Sequence, residues 1–278
     1  MKLLVPTDFS ENSFHAAAYA VTLAKVKPGS RIHLIHVLTP IMNDPVIIRD
    51  IEEEAINALE KIKTDLKSRC PMCSISHSVK IGDTVAEIDK AAKDLNAGII
   101  VMGIQGLGKT RRLLFGSNTV SLINKATCPV LVIPENSSLN APQKIVFATD
   151  YYDSDVDALQ QLVPIATAFD SEIVMVHVFD ESDDEQSELI MINFMSAEVF
   201  KIIPYSRITY RVYYSENTAQ GIKEFCEFTG ANLLVLSARK HSVFQKLFGK
   251  SVTKDLSYNG EIPMLIFHVH KTDASDSI

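Results

Sequence analysis

KLLVPTD at residues 2–8 and KIVFATD at residues 144–150 share one pattern: a lysine, an apolar run, and a Thr-Asp pair, Thr7-Asp8 and Thr149-Asp150. Working outward, Ile32-His33-Leu34-Ile35-His36-Val37 is answered by Ile173-Val174-Met175-Val176-His177-Val178. These runs do not alternate between apolar and polar, so they read as parallel strands buried on both faces. Further on, Ala97-Gly98-Ile99-Ile100-Val101-Met102 matches Ala231-Asn232-Leu233-Leu234-Val235-Leu236. Cys128-Pro129-Val130-Leu131-Val132-Ile133 matches Ile262-Pro263-Met264-Leu265-Ile266-Phe267. The chain is a repeat of one unit.

Between the strands, residues 13–25, 51–67, 85–95 and 117–125 place apolar side chains three and four apart, which predicts amphipathic helices. Strands alternating with helices imply βαβ units, a parallel sheet and right-handed crossovers. The expected fold class is α/β, with two tandem doubly wound domains of five parallel strands each. The expected boundaries are 1–134 and 143–270, with a polar, proline-ended linker at 135–142 and a frayed tail at 271–278. The fifth strands, Val130-Leu131-Val132-Ile133 and Met264-Leu265-Ile266-Phe267, are apolar on both faces yet fall at a sheet edge, where bare strands aggregate.

Composition excludes several classes. A 278-residue chain with 46% hydrophobic and 22% charged residues fits two globular domains, and no apolar run reaches membrane-spanning length. A formal net charge of -7 gives no electrostatic footprint for nucleic acid. Pro6-Thr7-Asp8 interrupts the first apolar run before a signal-peptide core forms, so secretion is not expected. Four cysteines in a chain this long do not form a disulfide framework, and a reducing, cytoplasmic setting is the expectation.

In a doubly wound sheet, ligands bind beyond the carboxyl ends of the strands where strand order reverses. Pro6-Thr7-Asp8-Phe9-Ser10 follows the first strand, and Gly103-Ile104-Gln105-Gly106-Leu107-Gly108-Lys109 reads as a loop opening toward a helix near Gly116-Ser117. Glycines admit an anion close to the backbone, and amides at a helix start suit phosphate. On this reading a side chain at Gly103 or Gly116 blocks the ligand and leaves the fold intact. Ser117 and Thr119 add hydroxyls, and Lys109, Arg111 and Arg112 add positive charge. Asp8 is an acceptor for a ribose hydroxyl or an adenine amine.

Gly103-x2-Gly106-x9-Gly116-Ser117, together with Pro6-Thr7-Asp8-Phe9-Ser10, resembles the ATP-binding motif of universal stress proteins, and the similarity spans both halves. The resemblance implies an adenine nucleotide alpha hydrolase-like fold. It implies that Thr7, Asp8 and Val37 hold the base and ribose, with Met102, Gly103, Gly106, Gly116, Ser117 and Thr119 completing the site. Asn118 departs from the small apolar residue often seen there. The resemblance further implies ATP or a related adenine nucleotide as ligand and a regulatory role in stress. It also implies an intramolecular pseudo-dimer in which the two fifth strands meet. Whether magnesium accompanies the nucleotide, and whether a further homodimer forms, stays open.

The second half reads Leu236-Ser237-Ala238-Arg239-Lys240-His241 at the matching loop, with Ser237 and Lys240 where glycines belong and Gly249-Lys250-Ser251 after it. A degenerate motif is the expectation there, with capture of another anion by Lys240 and Lys250 as the alternative. Cys70-Pro71-Met72-Cys73 with His77 lacks the second ligand pair of a zinc site and precedes a strand, so an incidental loop is expected. His36 and His177 recur inside apolar strands as hydrogen-bonded core residues. Ser10, His15 and Asp8 lack a nucleophile elbow, and no Walker lysine motif occurs, so efficient hydrolysis has no machinery. The competing readings are a scaffold that binds no nucleotide and an adenylating enzyme, whose Ser-Gly-Gly and His-x-Gly-His signatures are absent.

Overall fold

The computed structural model describes residues 1–39, 44–107, 112–114, 116–151, 153–181, 184–238 and 262–268. The first half runs β1 (Lys2–Pro6), α1 (Glu11–Lys25), β2 (Arg31–Leu38), α2 (Pro45–Arg69), β3 (Ser74–Ile81) and α3 (Thr84–Leu95). It continues through β4 (Ile99–Leu107), β5 (Arg112–Leu114), α4 (Ser117–Lys125) and β6 (Val130–Pro134). The second half runs β7 (Lys144–Ala148), α5 (Asp153–Phe169), β8 (Glu172–Phe179), α6 (Glu185–Ile202), β9 (Ile208–Tyr214), α7 (Thr218–Thr229), β10 (Leu233–Ala238) and β11 (Met264–His268). Helices start earlier than apolar periodicity suggests because caps set their ends: Ser10 accepts from the Ser13 amide at the head of α1, and Asp44 from Val46 at the head of α2.

The strands form one sheet in the order β3-β2-β1-β4-β6-β11-β10-β7-β8-β9, with β5 attached to β4 alone. Within each half the neighbours on this path are parallel. Order reverses between β1 and β4, and again between β7 and β10, so each half has a topological switch point. At the centre, β6 and β11 pair antiparallel, with Leu131 opposite Leu265.

Two cores explain why the strands do not alternate in polarity. Leu3, Val5, Leu131 and Ile133 face one core, shared with Ala16 and Tyr19 of α1, Leu59 and Leu66 of α2, and Leu159 of α5. Their neighbours Leu4, Val130 and Val132 face the other, with Ile88 of α3, Leu122 of α4 and Ile222 of α7. Both faces of the central strands β1, β4, β6, β7, β10 and β11 are therefore covered, while the edge strands β3 and β9 stay partly exposed.

Three expectations are corrected. The stretch from Gly103 toward Lys109 is not an open loop: β4 continues to Leu107, and Gln105, Gly106 and Leu107 pair with β5 in an antiparallel ribbon. Lys109 and Arg111 lie outside the described residues, as does the tail. Cys70 and Cys73 are not an incidental loop: the turn joining α2 to β3 brings their Cα atoms to 5.4 Å, and a disulfide links them. Cys128 and Cys226 are free and buried.

The third correction concerns Gly103. A Cβ built there would lie 2.2 Å from the Asn12 carbonyl oxygen and 2.5 Å from its carbon, which are backbone atoms of α1. This glycine lets β4 and α1 touch, so a side chain there disturbs the fold. Gly116 differs, since a Cβ there meets nothing within 4 Å. Gly103→Ala should therefore lower stability by about 1–3 kcal/mol, the usual cost of overpacking, whereas Gly116→Ala should change it by less than about 0.5 kcal/mol. Urea unfolding of both variants measures this, and a Gly103→Ala protein as stable as the parent contradicts the packing role.

Candidate functional site

The first crevice begins where β1 ends. The Thr7 amide donates to the Ile35 carbonyl at 2.9 Å, extending the β1–β2 ladder by one bond. The chain then turns sharply through Phe9, whose φ of 66° lies in the left-handed region that non-glycine residues seldom occupy. Hydroxyls hold this turn. Ser13 Oγ donates to the Ser10 carbonyl at 2.9 Å, so at its 2.9 Å contact with Thr7 Oγ1 the threonine hydroxyl is the donor. Thr7 Oγ1 in turn accepts from the Phe9 amide at 3.1 Å.

Asp8 is exposed at the apex. Its Oδ1 accepts from the Ser10 hydroxyl at 2.5 Å and the Ser10 amide at 3.1 Å. Partial burial works against its charge, but the hydrogen bonds from the Ser10 hydroxyl and amide outweigh that and hold the carboxyl below its ordinary pKa. His36, on β2, donates from Nδ1 to the Thr7 carbonyl at 2.7 Å, and its ring lies 4.4 Å from that of Phe9. It is a hydrogen-bonded strand residue that also reaches the crevice wall.

The opposite wall comes from β4 and α4. Met102 is buried in the middle of β4, and Gly103 follows it in the same strand. Gly116 is the N-cap of α4 and supplies no side-chain cap, whereas Ser10, Asp44 and Asp83 cap the other three helices of this half. The first amides of α4 are thus left for water or a ligand. No acidic residue lies in the first turn of α4, so its positive end is not neutralised locally.

These walls enclose a cleft of about 800 Å³, within the range of about 300–1,000 Å³ typical of small-molecule sites. Thr7, Asp8, Val37, Met102, Gly103, Gly116, Ser117 and Thr119 all line it, and so does Asn118. Gly106 is placed by its backbone, opposite Leu113 in the β4–β5 ribbon. The sequence missed Glu11, Asn12 and Ser13 on α1, Thr84 and Ile88 on α3, and Glu135. The first three were within reach, because Ser10 is a good N-cap and the turn after it must face the β1 end. Glu135 carried no signal, since it belongs to the linker.

The second half repeats the frame and changes the lining. Tyr151 takes the left-handed turn with φ 64°, its ring 4.3 Å from that of His177, whose Nδ1 donates to the Thr149 carbonyl at 2.8 Å. Asp155 stands where the first half has Ser13, accepting from Thr149 Oγ1 at 2.7 Å and from the Asp150 amide at 3.2 Å. Burial raises its pKa despite these bonds. Ser237 occupies the register position of Gly103: it pairs with Phe267 as Gly103 pairs with Ile133. Lys240, Gly249, Lys250 and Ser251 lie outside the described residues. Among the described residues there is no group of three or more His, Cys, Asp or Glu that could hold a metal ion. No helix among them is long and apolar enough to cross a membrane.

Comparison with known proteins agrees with this geometry. A solved universal stress protein from Archaeoglobus fulgidus superposes with a TM-score of 0.77, covering 96% of this chain and 98% of its own at 19% identity, which supports the fold. A universal stress protein of Methanocaldococcus jannaschii is 31% identical over 140 residues, 48% of this chain and 81% of its own length. A second from the same organism is 28% identical over 159 residues, 49% of this chain and 96% of its own. The model of the universal stress protein family matches twice, over residues 1–134 and 142–268. The chain belongs to the universal stress protein family through both of its halves.

Proposed function

We propose that the first crevice binds one adenine nucleotide, ATP or a close relative, and that the chain acts as a nucleotide-binding regulator in the response to stress. The observation that carries this is the uncapped start of α4, opening on a cleft of about 800 Å³ at the switch point. Free amides and the helix dipole favour phosphate there. On this reading Thr7, Asp8 and Val37 take the base and ribose side, while Met102, Gly103, Gly106, Gly116, Ser117 and Thr119 complete the site toward the phosphates. Magnesium fits only as a companion of the phosphates, given that no described cluster could hold it.

The second half, residues 143–270, serves as a structural partner without a nucleotide of its own. Ser237 brings a side chain to the position of Gly103, and Asp155 adds a buried carboxylate that would face phosphate charge. The β6–β11 pair joins the halves across residues 135–142, and apolar burial there keeps them together in solution. Any hydrolysis is slow, because among the described residues Asp8 is tied to Ser10 and His36 to the Thr7 carbonyl, which takes both away from the role of a general base for water.

Gly116→Asp puts a negative charge at the start of α4, where a Cβ meets open space. It should weaken ATP binding at least tenfold, read by titration with a fluorescent ATP analogue, while the melting temperature stays near the parent's. Unchanged binding would contradict the phosphate role.

Asp8→Ala should weaken binding by about 1–3 kcal/mol, the range for a charge-assisted hydrogen bond, and Asp150→Ala should have no effect. Equal small effects at the two positions would mean that both carboxylates serve only their turns.

A further inference from the structure

The linker between the halves is also part of the first crevice. Glu135, the residue directly after β6, lines the cleft together with Asp8 and Glu11. Its position is set from both sides. Before it, β6 is buried along its length. Two residues after it, Ser137 is buried, its hydroxyl donating to the Pro134 carbonyl at 2.7 Å. His15 Nε2 lies 2.9 Å from the Ser137 carbonyl and 3.3 Å from its hydroxyl. Thr22 Oγ1 donates to the Leu139 carbonyl at 3.0 Å. His15 and Thr22 both belong to α1, whose first turn forms the facing wall, so the linker is stapled along the helix that shapes the crevice.

Among the described residues lining the cleft, the ionisable side chains are His36, Asp8, Glu11 and Glu135. Three of these are carboxylates, and among the described lining residues there is no lysine or arginine, so the attraction for phosphate that they supply comes from the α4 amides. We propose that Glu135 is a specificity-determining residue of this crevice, which sorts nucleotides by the number of phosphate charges they carry. This rests on the adenine-nucleotide reading above.

A phosphate monoester carries about −1.5 to −2 charges at neutral pH, and each further phosphate adds to that. Repulsion by a fixed carboxylate grows in proportion to the ligand's charge, so Glu135 penalises a triphosphate more than a monophosphate. Glu135 is exposed, so the penalty is moderate and falls as salt shortens the Debye length from about 30 Å at 0.01 M to about 8 Å at 0.15 M. The linker residue thereby sets how much of the nucleotide pool the crevice accepts, independently of how it reads the base.

The test is titration of parent and Glu135→Gln protein with ATP, ADP and AMP, without divalent metal, at about 0.01 M and about 0.15 M salt. The variant should bind ATP about three- to tenfold more tightly at low salt, ADP with a smaller gain and AMP with the least, and the gains should shrink at high salt. Glu135→Lys should shift ATP further in the same direction. An equal change for all three nucleotides, or weaker ATP binding by Glu135→Gln, overturns the proposal and leaves the nucleotide site standing. A parent protein that binds none of the three overturns the nucleotide reading itself, and this proposal with it.

Discussion

The antiparallel contact between β6 and β11 is the constraint on which the molecule is organised. A strand covered by helices on both faces must be apolar, and one at the end of its sheet then presents an unpaired backbone as well. Each half ends its sheet with such a strand: Val130, Leu131, Val132 and Ile133 in one, Met264, Leu265, Ile266 and Phe267 in the other, all buried. Setting them side by side removes both edges at once. Because the pair is antiparallel, the carboxyl ends of the two half-sheets, and with them the two switch points, point in opposite directions.

This arrangement separates what the halves share from what they do not. Both retain the Thr-Asp pair, the left-handed aromatic turn and the histidine that donates to the threonine carbonyl. These features hold the turn in both halves, and in the first half Thr7 and Asp8 also line the cleft. The divergence lies one layer deeper, where Ser13 becomes Asp155 and Gly103 becomes Ser237. A buried carboxylate whose charged form is disfavoured by its surroundings has replaced a neutral hydroxyl at the head of the first helix. The first crevice keeps small, neutral groups in both places, together with an uncapped helix start.

Much of this was legible in the residues. The repeat of KLLVPTD and KIVFATD, the unbroken apolar runs and the helical spacing between them lead directly to two doubly wound units. The crevice followed from topology, and the family resemblance pointed to Thr7, Asp8, Val37, Met102, Gly116, Ser117 and Thr119, which all line it. What the sequence hid were contacts between distant segments. The approach of Gly103 to the Asn12 carbonyl depends on how α1 lies over β4, so a glycine that looked like a phosphate device is also a packing requirement. The β4–β5 ribbon replaced an expected loop because glycines at 103 and 106 masked a strand extension. Glu135 and the α1 staple escaped notice because a polar linker has no periodicity to read. The Cys70–Cys73 bond depends on a turn whose closure spacing alone does not decide.

The proposed site implies one nucleotide per chain, held in the first half. Isothermal titration calorimetry of the intact chain with ATP, ADP, AMP and adenosine measures this directly. The expected result is a single class of site with a stoichiometry near one, abolished by Gly116→Asp and untouched by Asp150→Ala. Two equivalent sites per chain, or one site that survives Gly116→Asp and is lost on mutation of Asp155 or Ser237, would contradict it.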